Sequence, residues 1–488
     1  MCPDLASGRA WKGSLVVVLL PALAVLPVLA LEAKWRLFYA AVVFFAVPIA
    51  LTVRDTRLWL FLAGAASAFN FTKILRETAP GASGESLALS ALDVPLAMML
   101  VALFLRATSG GAVRLDRTAR GVLGLGLAFV GWLGYCALGA RHPDASAAQV
   151  LVYCRLLLAL ALVAACATDA ARVRWAQAGL FLGLFAQSAL AIAQRVAGSS
   201  FGLYEHFEES TAAGVFTRSG GTLNPTVLSE YIGVLAPLVL AAAFTVRRRA
   251  AAAALLALFG AAAVASAATL SRAGLVNLGL STIAVAALAL PNAAVPRSRK
   301  LFVSWALPLV ALVVAAYFAH AVLARVTEVS AEVQGDDGRA AQLEQARDMI
   351  LANPLTGVGP GNYVAAMGAY GPVLPYPVHN KFLLVTAESG VPGGVLYLAL
   401  WALTLAAFVR RARRAAGAAR MWHGAAAAAL GATLLNMNTD VYGAGGAPEL
   451  ALFLVAGLGL GAWAGAGEPA RQAVGAWRRP WNRSAPAR

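Results

Sequence analysis

Long apolar runs, each broken by a short cluster of charge or of Gly, Pro and Asn, set the rhythm of this chain. A bilayer core of about 30 Å needs roughly 20 apolar residues per helix. About fourteen runs approach that length, near 13–31, 37–53, 58–72, 87–105, 121–139, 149–167, 176–194, 227–246, 250–268, 275–290, 301–322, 382–409, 422–438 and 449–466. The run at 58–72 is short and ends in Asn70, Phe71, Thr72 and Lys73, so the expected count is about 12–14. The pattern predicts an all-α, polytopic integral membrane protein with a long loop before the helix that begins near His379.

Composition agrees. Of the 488 residues, 60% are hydrophobic and 13% charged, against about 25% charged in a soluble domain. This is not an ordinary soluble protein, and the figure excludes a disordered chain, a coiled coil and a disulfide scaffold. Cys2, Cys136, Cys154 and Cys166 form no Cys-x-x-Cys pair and read as small buried hydrophobes. His142, His206, His320, His379 and His423 never fall at i, i+3 or i, i+4 spacing, which argues against a protein-bound zinc. No Gly-rich loop ends in Gly-Lys-Ser/Thr, so an ATP-driven pump is not indicated.

The net charge of +16 would suggest nucleic acid until its distribution is read. With the N-terminus in the cytoplasm and every run crossing, 26 of the 39 Lys+Arg fall in inside segments, 12 in outside segments, and Arg155 alone within a span. Clusters such as Arg247-Arg248-Arg249 and Arg410-Arg411 directly follow span ends. This bias predicts that both termini are cytoplasmic, and the basic balance then reflects topology and attraction to anionic membrane lipid rather than nucleic acid. Arg9 and Lys12 before the first run, with Val28-Leu29-Ala30 at its end, are read as an uncleaved signal anchor. The basic, Pro-containing segment 467–488 reads as an unstructured cytoplasmic tail.

Two outside segments, 195–226 and 323–381, are too long to be turns, and such loops are often functional. The first ends in Thr217-Arg218-Ser219-Gly220-Gly221-Thr222-Leu223-Asn224-Pro225. Its glycines would let backbone approach a ligand closely, and an arginine beside a helix N-terminus favours an anion. The six-residue link Thr269–Gly274 carries Ser271-Arg272 at the outer surface, where an ionisable residue needs a partner or a task. Arg155, deeper in its span, falls under the same rule.

The second loop opens with a helix around Arg339–Leu351, whose apolar side is expected to hold Leu343, Ala346, Ile350 and Leu351. Asn353-Pro354 stops it. A tight turn follows at Gly357-Val358-Gly359-Pro360-Gly361-Asn362, and His379-Asn380-Lys381 leads into the next helix. His379 can accept a proton near neutrality. Asn380 could merely cap that helix, Glu388 could merely pair with Lys381, and Gly390-Val391-Pro392-Gly393-Gly394 could be a bend.

Taken together, these residues resemble the O-antigen ligase and polysaccharide polymerase superfamily of bacterial envelope glycosyltransferases. Four pieces carry the match in order: Arg218 with Gly220, Gly221, Asn224 and Pro225; Ser271-Arg272; Asn353-Pro354 with Gly357, Gly359, Gly361 and Asn362; and His379-Asn380 with Glu388, Ser389 and Gly390. The resemblance covers roughly 200–405. It divides the chain into N-terminal helices (1–194), a ligase/polymerase-like core (195–409), C-terminal helices (410–466) and the tail (467–488).

The resemblance implies a metal-independent, cofactor-free inverting glycosyltransferase of the bacterial inner membrane, working at the periplasmic face. The donor would be a glycan on undecaprenyl diphosphate. The acceptor would be lipid A–core, or a second lipid-linked glycan if repeat units are polymerised in O-antigen or exopolysaccharide synthesis. Arg218 and Arg272, with Asn224, would hold the diphosphate, and His379 would serve as base or acceptor-orienting group. Asn380, Glu388, Arg155 and Arg339 would support them. The alternatives are a transporter or flippase for lipid-linked glycans, which would need polar residues along a path through the membrane, and a protein O-oligosaccharyltransferase.

Overall fold

The computed structural model describes residues 55–69, 72–76, 87–110, 115–203, 208–211, 214–306, 308, 312, 333–371, 377–439 and 446–461. Fourteen α-helices lie within them: α1 (Thr56–Ala66), α2 (Asp93–Thr108), α3 (Arg117–Ala137), α4 (Pro143–Cys166), α5 (Ala170–Ala197), α6 (Pro225–Thr245), α7 (Arg249–Ala268), α8 (Arg272–Ala289), α9 (Arg297–Leu301), α10 (Val333–Ala352), α11 (Tyr363–Ala366), α12 (Lys381–Arg414), α13 (Gly417–Asn436) and α14 (Ala447–Leu460). Among the described residues, α3–α8 and α12 are seven helices long and apolar enough to cross a membrane. The expected spans at 13–31 and 37–53, and most of that at 301–322, lie outside the described residues. Large apolar side chains such as Phe104, Leu127 and Ile283 face outward from the bundle, as lipid contact requires. The protein is a polytopic, helical membrane protein.

Two expectations change. The run at 58–72 is no span, because α1 ends at Ala66 and Thr72–Arg76 forms β1. The run at 87–105 begins as β2 (Leu87–Ser90), paired antiparallel with β1, and becomes helical at Asp93. A second hairpin joins β3 (Glu208–Thr211) to β4 (Gly214–Thr217). The all-α architecture thus carries two small hairpins. Asp93 is a first-turn residue rather than a mid-span charge, and its carboxylate lies 3.9 Å from the Arg155 guanidinium. Arg155 therefore has its partner in Asp93, and it does not line the cavity described below.

Helix α6 is the hub. In its apolar stretch 89% of residues are buried, against 33% in α3. It packs against α7, α8, α13 and α14. Pro225 at its first turn and the Asn224 side chain, which accepts from the Thr226 N–H, fix its start. Elsewhere the helices close on small residues: a Cβ at Gly179 of α5 would lie 1.9 Å from the Phe61 carbonyl oxygen of α1. Backbones approach this closely where the surrounding lipid is as apolar as the side chains and contact must come from fit.

Helix α12 is broken. Gly390 takes φ 69° and ψ 176°, and Pro392 supplies no N–H. The freed backbone groups are satisfied from outside the helix. Val358 N–H donates to Ala387 O (2.9 Å), Gly359 N–H to Glu388 O (3.0 Å) and the Trp132 indole to Ser389 O (2.8 Å). Val391 N–H in turn donates to Pro354 O (2.8 Å). The bend read from Gly390–Gly394 is real, and its function is to dock the 353–362 turn.

A Cβ at Gly390 would meet the Leu355 carbonyl oxygen at 2.0 Å, in a region of backbone space essentially confined to glycine. Strain of about 1–3 kcal/mol adds to that overlap. Gly390→Ala should lower the thermal midpoint of the detergent-solubilised protein and release the 353–362 turn to protease. Unchanged melting and proteolysis would show that the break tolerates a side chain.

Candidate functional site

The N-terminal ends of α6 and α8, the entry to α12 and the C-terminal end of α13 converge on one cavity of about 640 Å³. Its walls carry Arg218 and Thr226 at the start of α6, Ser271, Arg272 and Asn277 on α8, Arg339 on α10, His379 before α12, and Asn436 and Thr439 at the end of α13. No acidic residue lines it among the described residues. Three arginines, a histidine and two helix N-termini give this cavity a positively charged lining, which suits an anion.

Each wall residue is positioned by local chemistry. Arg218 Nε donates to Thr269 O (2.9 Å) and Nη2 to Thr226 Oγ1 (3.2 Å), while the neighbouring Ser219 N–H donates to Ala268 O (3.1 Å). These contacts lay the guanidinium across the starts of α6 and α8. Ser271 caps α8, its hydroxyl accepting from the Gly274 N–H (3.2 Å), and so sets Arg272 in the first turn.

The loop that carries Arg218 is anchored by two residues that no sequence motif marked. Gln187 of α5 donates to Thr222 Oγ1 (2.6 Å) and accepts from the Thr222 N–H (3.0 Å). Gln194, two turns on, donates to Gly221 O (2.8 Å) and accepts from the Gly221 N–H (2.9 Å). This corrects the reading of the glycines. A Cβ at Gly220 would strike Leu223 O at 2.1 Å, and one at Gly221 would strike Gln187 Oε1 at 2.2 Å. They allow the turn and its seat on α5, not the approach of a ligand. Gln187 and Gln194 share a helix face at i, i+7, and that spacing of buried amides was the available signal.

The supporting residues sort by geometry. Arg218, Arg272, His379 and Arg339 share the cavity. Asn224 is an exposed N-cap and does not line it. Asn380 is the N-cap of α12, its Oδ1 accepting from the Phe382 and Leu383 N–H groups at 3.0 Å. Glu388 Oε1 accepts from the Tyr363 N–H at 3.4 Å. Asn362 also has an architectural role, donating to Ser146 Oγ (2.8 Å) and accepting from the His142 N–H (2.8 Å) at the start of α4.

The α10 face is rotated from expectation. Gln342, Gln345, Ala346 and Met349 are buried, whereas Leu343 and Leu351 are exposed. Ala346 and Met349 join Tyr363, Met367, Val378, Leu384 and Ala387 in a small core separate from that of the bundle. Burying two glutamines costs free energy unless they are hydrogen-bonded. Gln345 Nε2 donates to Met367 O (3.2 Å), and Gln342 Oε1 lies 3.0 Å from His379 Nδ1.

Beneath His379 lies a charged cluster that the sequence did not reveal. Lys381 and Glu449 are 1% and 0% exposed, with Nζ 3.8 Å from Oε1. The Tyr397 hydroxyl donates to the same oxygen (3.0 Å), and the Lys381 ammonium lies over the Tyr153 ring. The Lys381 N–H also donates to Met437 O (2.8 Å), tying the α12 entry to the end of α13. A lysine in the first turn of a helix opposes the helix dipole, so this one depends on the carboxylate.

Residues 256–398 match the family described as O-antigen ligase. That stretch is similar to an O-antigen ligase domain. The matched stretch holds Arg272, Arg339, Gln342, His379 and Glu388, and Arg218 precedes it. No curated protein matches the chain.

Removing one member of the buried pair leaves the other charge uncompensated, which typically costs about 3–5 kcal/mol. Lys381→Met should therefore lower thermal stability strongly. Lys381→Met combined with Glu449→Gln, which keeps an acceptor for Tyr397, should recover much of the loss. A double variant no more stable than Lys381→Met would show that charge pairing is not what the cluster contributes.

Proposed function

We propose that this protein transfers a glycan from undecaprenyl diphosphate to an acceptor hydroxyl, with inversion, at the periplasmic face of the bacterial inner membrane. The observation that carries the reading is the meeting of Arg218, Arg272 and His379 in one cavity that, among the described residues, has no carboxylate in its lining. The acceptor oxygen forms a bond to the anomeric carbon while the bond from that carbon to the diphosphate oxygen breaks. The electron pair leaves with the lipid diphosphate, and the acceptor proton passes to His379. Charge builds on the departing diphosphate, where the planar, multi-donor guanidinium groups of Arg218 and Arg272 neutralise it. Arginines perform the neutralisation that a metal would otherwise supply.

The orientation follows from the chain itself. Helices α6 and α12 each start at the cavity and end beside the basic clusters Arg247–Arg249 and Arg410–Arg414. Under the positive-inside bias those clusters are cytoplasmic. The cavity then faces the periplasm, and the segment that follows α14 faces the cytoplasm. Single cysteines at 336–375 should react with an impermeant maleimide in intact spheroplasts, and cysteines at 475–485 only after permeabilisation. The reverse pattern would exclude periplasmic transfer.

Purified protein, an undecaprenyl-diphosphate glycan and two acceptors, lipid A–core and a second lipid-linked glycan, distinguish ligation from polymerisation. Binding of the glycan lipid without transfer to either acceptor would favour a transporter. Arg218→Lys and Arg272→Lys should each lose about 2–4 kcal/mol of transition-state stabilisation, roughly 30- to 1,000-fold in rate. His379→Ala should slow transfer about 10²–10⁴-fold while donor binding persists, and EDTA should leave the wild type unaffected. Full turnover in both lysine variants, or loss of donor binding in His379→Ala, would overturn these assignments.

A further inference from the structure

We propose that Gln342 is a positioning residue that fixes the tautomer and ring orientation of His379, and that Tyr363 and Glu388 hold it in place. The inference rests on His379 acting as base in the reading above. Gln342 is 2% exposed, and its Oε1 lies 3.0 Å from His379 Nδ1. An amide oxygen can only accept, so Nδ1 carries the proton and donates it. In the neutral ring the other nitrogen then holds the lone pair, which is the state a general base requires. The arrangement follows the logic of a base oriented by a third group, with a neutral amide in the orienting position.

The amide is itself clamped. The Tyr363 hydroxyl donates to the Gln342 backbone carbonyl (3.5 Å) and is also hydrogen-bonded to the backbone at Val378, the residue before His379. One phenol thus joins the two segments that must stay in register. Burial pushes that phenol above its ordinary pKa, and the Val378 hydrogen bond pulls it only partly back, so it remains a donor throughout the physiological range. At the other end of the residue, the Tyr363 N–H donates to Glu388 Oε1 (3.4 Å). Glu388 therefore acts on the site through Tyr363 and Gln342, at the α12 break, rather than by touching a ligand.

A neutral orienter suits these surroundings. The charged groups that share the cavity with His379 are Arg218 from the loop before α6, Arg272 from α8 and Arg339 from α10. Lys381, two residues on, is turned to Glu449. A carboxylate in place of Gln342 would favour the imidazolium and would offer the arginines an anion that competes with a diphosphate.

Two variants test this. Gln342→Leu removes the acceptor at similar volume, and Gln342→Glu keeps an acceptor but adds charge. The pH dependence of carbethoxylation at His379 by diethylpyrocarbonate, read by mass spectrometry, reports the imidazole without reference to transfer. Gln342→Glu should raise its midpoint by about 1 pH unit or more. The acid limb of transfer from an undecaprenyl-diphosphate glycan should move with it. Gln342→Leu should lower kcat about tenfold or more, short of the 10²–10⁴-fold of removing the base, with the donor KM unchanged. An unmoved carbethoxylation midpoint in Gln342→Glu, or wild-type kcat in folded Gln342→Leu, overturns the assignment. A moved midpoint with an unmoved pH–rate limb upholds the Gln342 contact and instead removes His379 from the base role.

Discussion

The site depends on how one broken helix satisfies its backbone. In hydrocarbon an unpaired N–H or C=O costs several kcal/mol, so irregular backbone persists there only where protein groups cover it. At Gly390 the Ala387, Glu388 and Ser389 carbonyls and the Val391 N–H leave the helical pattern, and each finds its partner in the 354–359 turn or in Trp132. The break is therefore a socket. What plugs into it is the end of the long loop, and with that loop come α10, α11 and the small core of Ala346, Met349, Tyr363, Met367 and Val378. That core carries Arg339 and His379, with Gln342 against the His379 ring, to the wall of a cavity whose other arginines come from α8 and the loop before α6.

Electrostatics then divides the molecule. Three buried or half-buried carboxylates are engaged away from the cavity: Glu449 with Lys381, Asp93 with Arg155, Glu388 with the Tyr363 N–H. The cavity walls keep three arginines and no acid among the described residues. The Lys381 cluster and the cavity lie on adjoining stretches of chain yet have opposite characters. One is a neutralised pair that locks α12 against α13 and α14, and the other is a concentration of positive charge open to a ligand.

The sequence carried much of this in local form. Apolar length marked α3–α8 and α12–α14 to within a few residues, because a helix in lipid must be long and apolar. The four motif pieces named Arg218, Arg272 and His379 because charge beside a helix start is chemically conspicuous. Asn380 could be read as a cap from its place before an apolar run, and the structure has it cap; that Asn224 and Ser271 also cap their helices is a finding of the structure. Hydropathy could not separate β1 and β2 from the ends of the runs around them, since short apolar strands and helix ends have the same composition.

Tertiary structure decided which residues share a wall and which merely shape it. Gln187, Gln194 and Gln342 look like any glutamine in the sequence, and their roles exist only because the loops they hold return from distant parts of the chain. The face of α10 could not be read from its leucines, because the packing surface offered by α12 accepted two hydrogen-bonded glutamines and left Leu343 and Leu351 outside. Lys381 lies beside Glu449, 68 positions on and on another helix. A period, a cap or a run length is fixed by neighbours along the chain and is legible there. A hydrogen-bond partner or an ion pair is fixed by distance in space, and that distance is set only once the helices have packed.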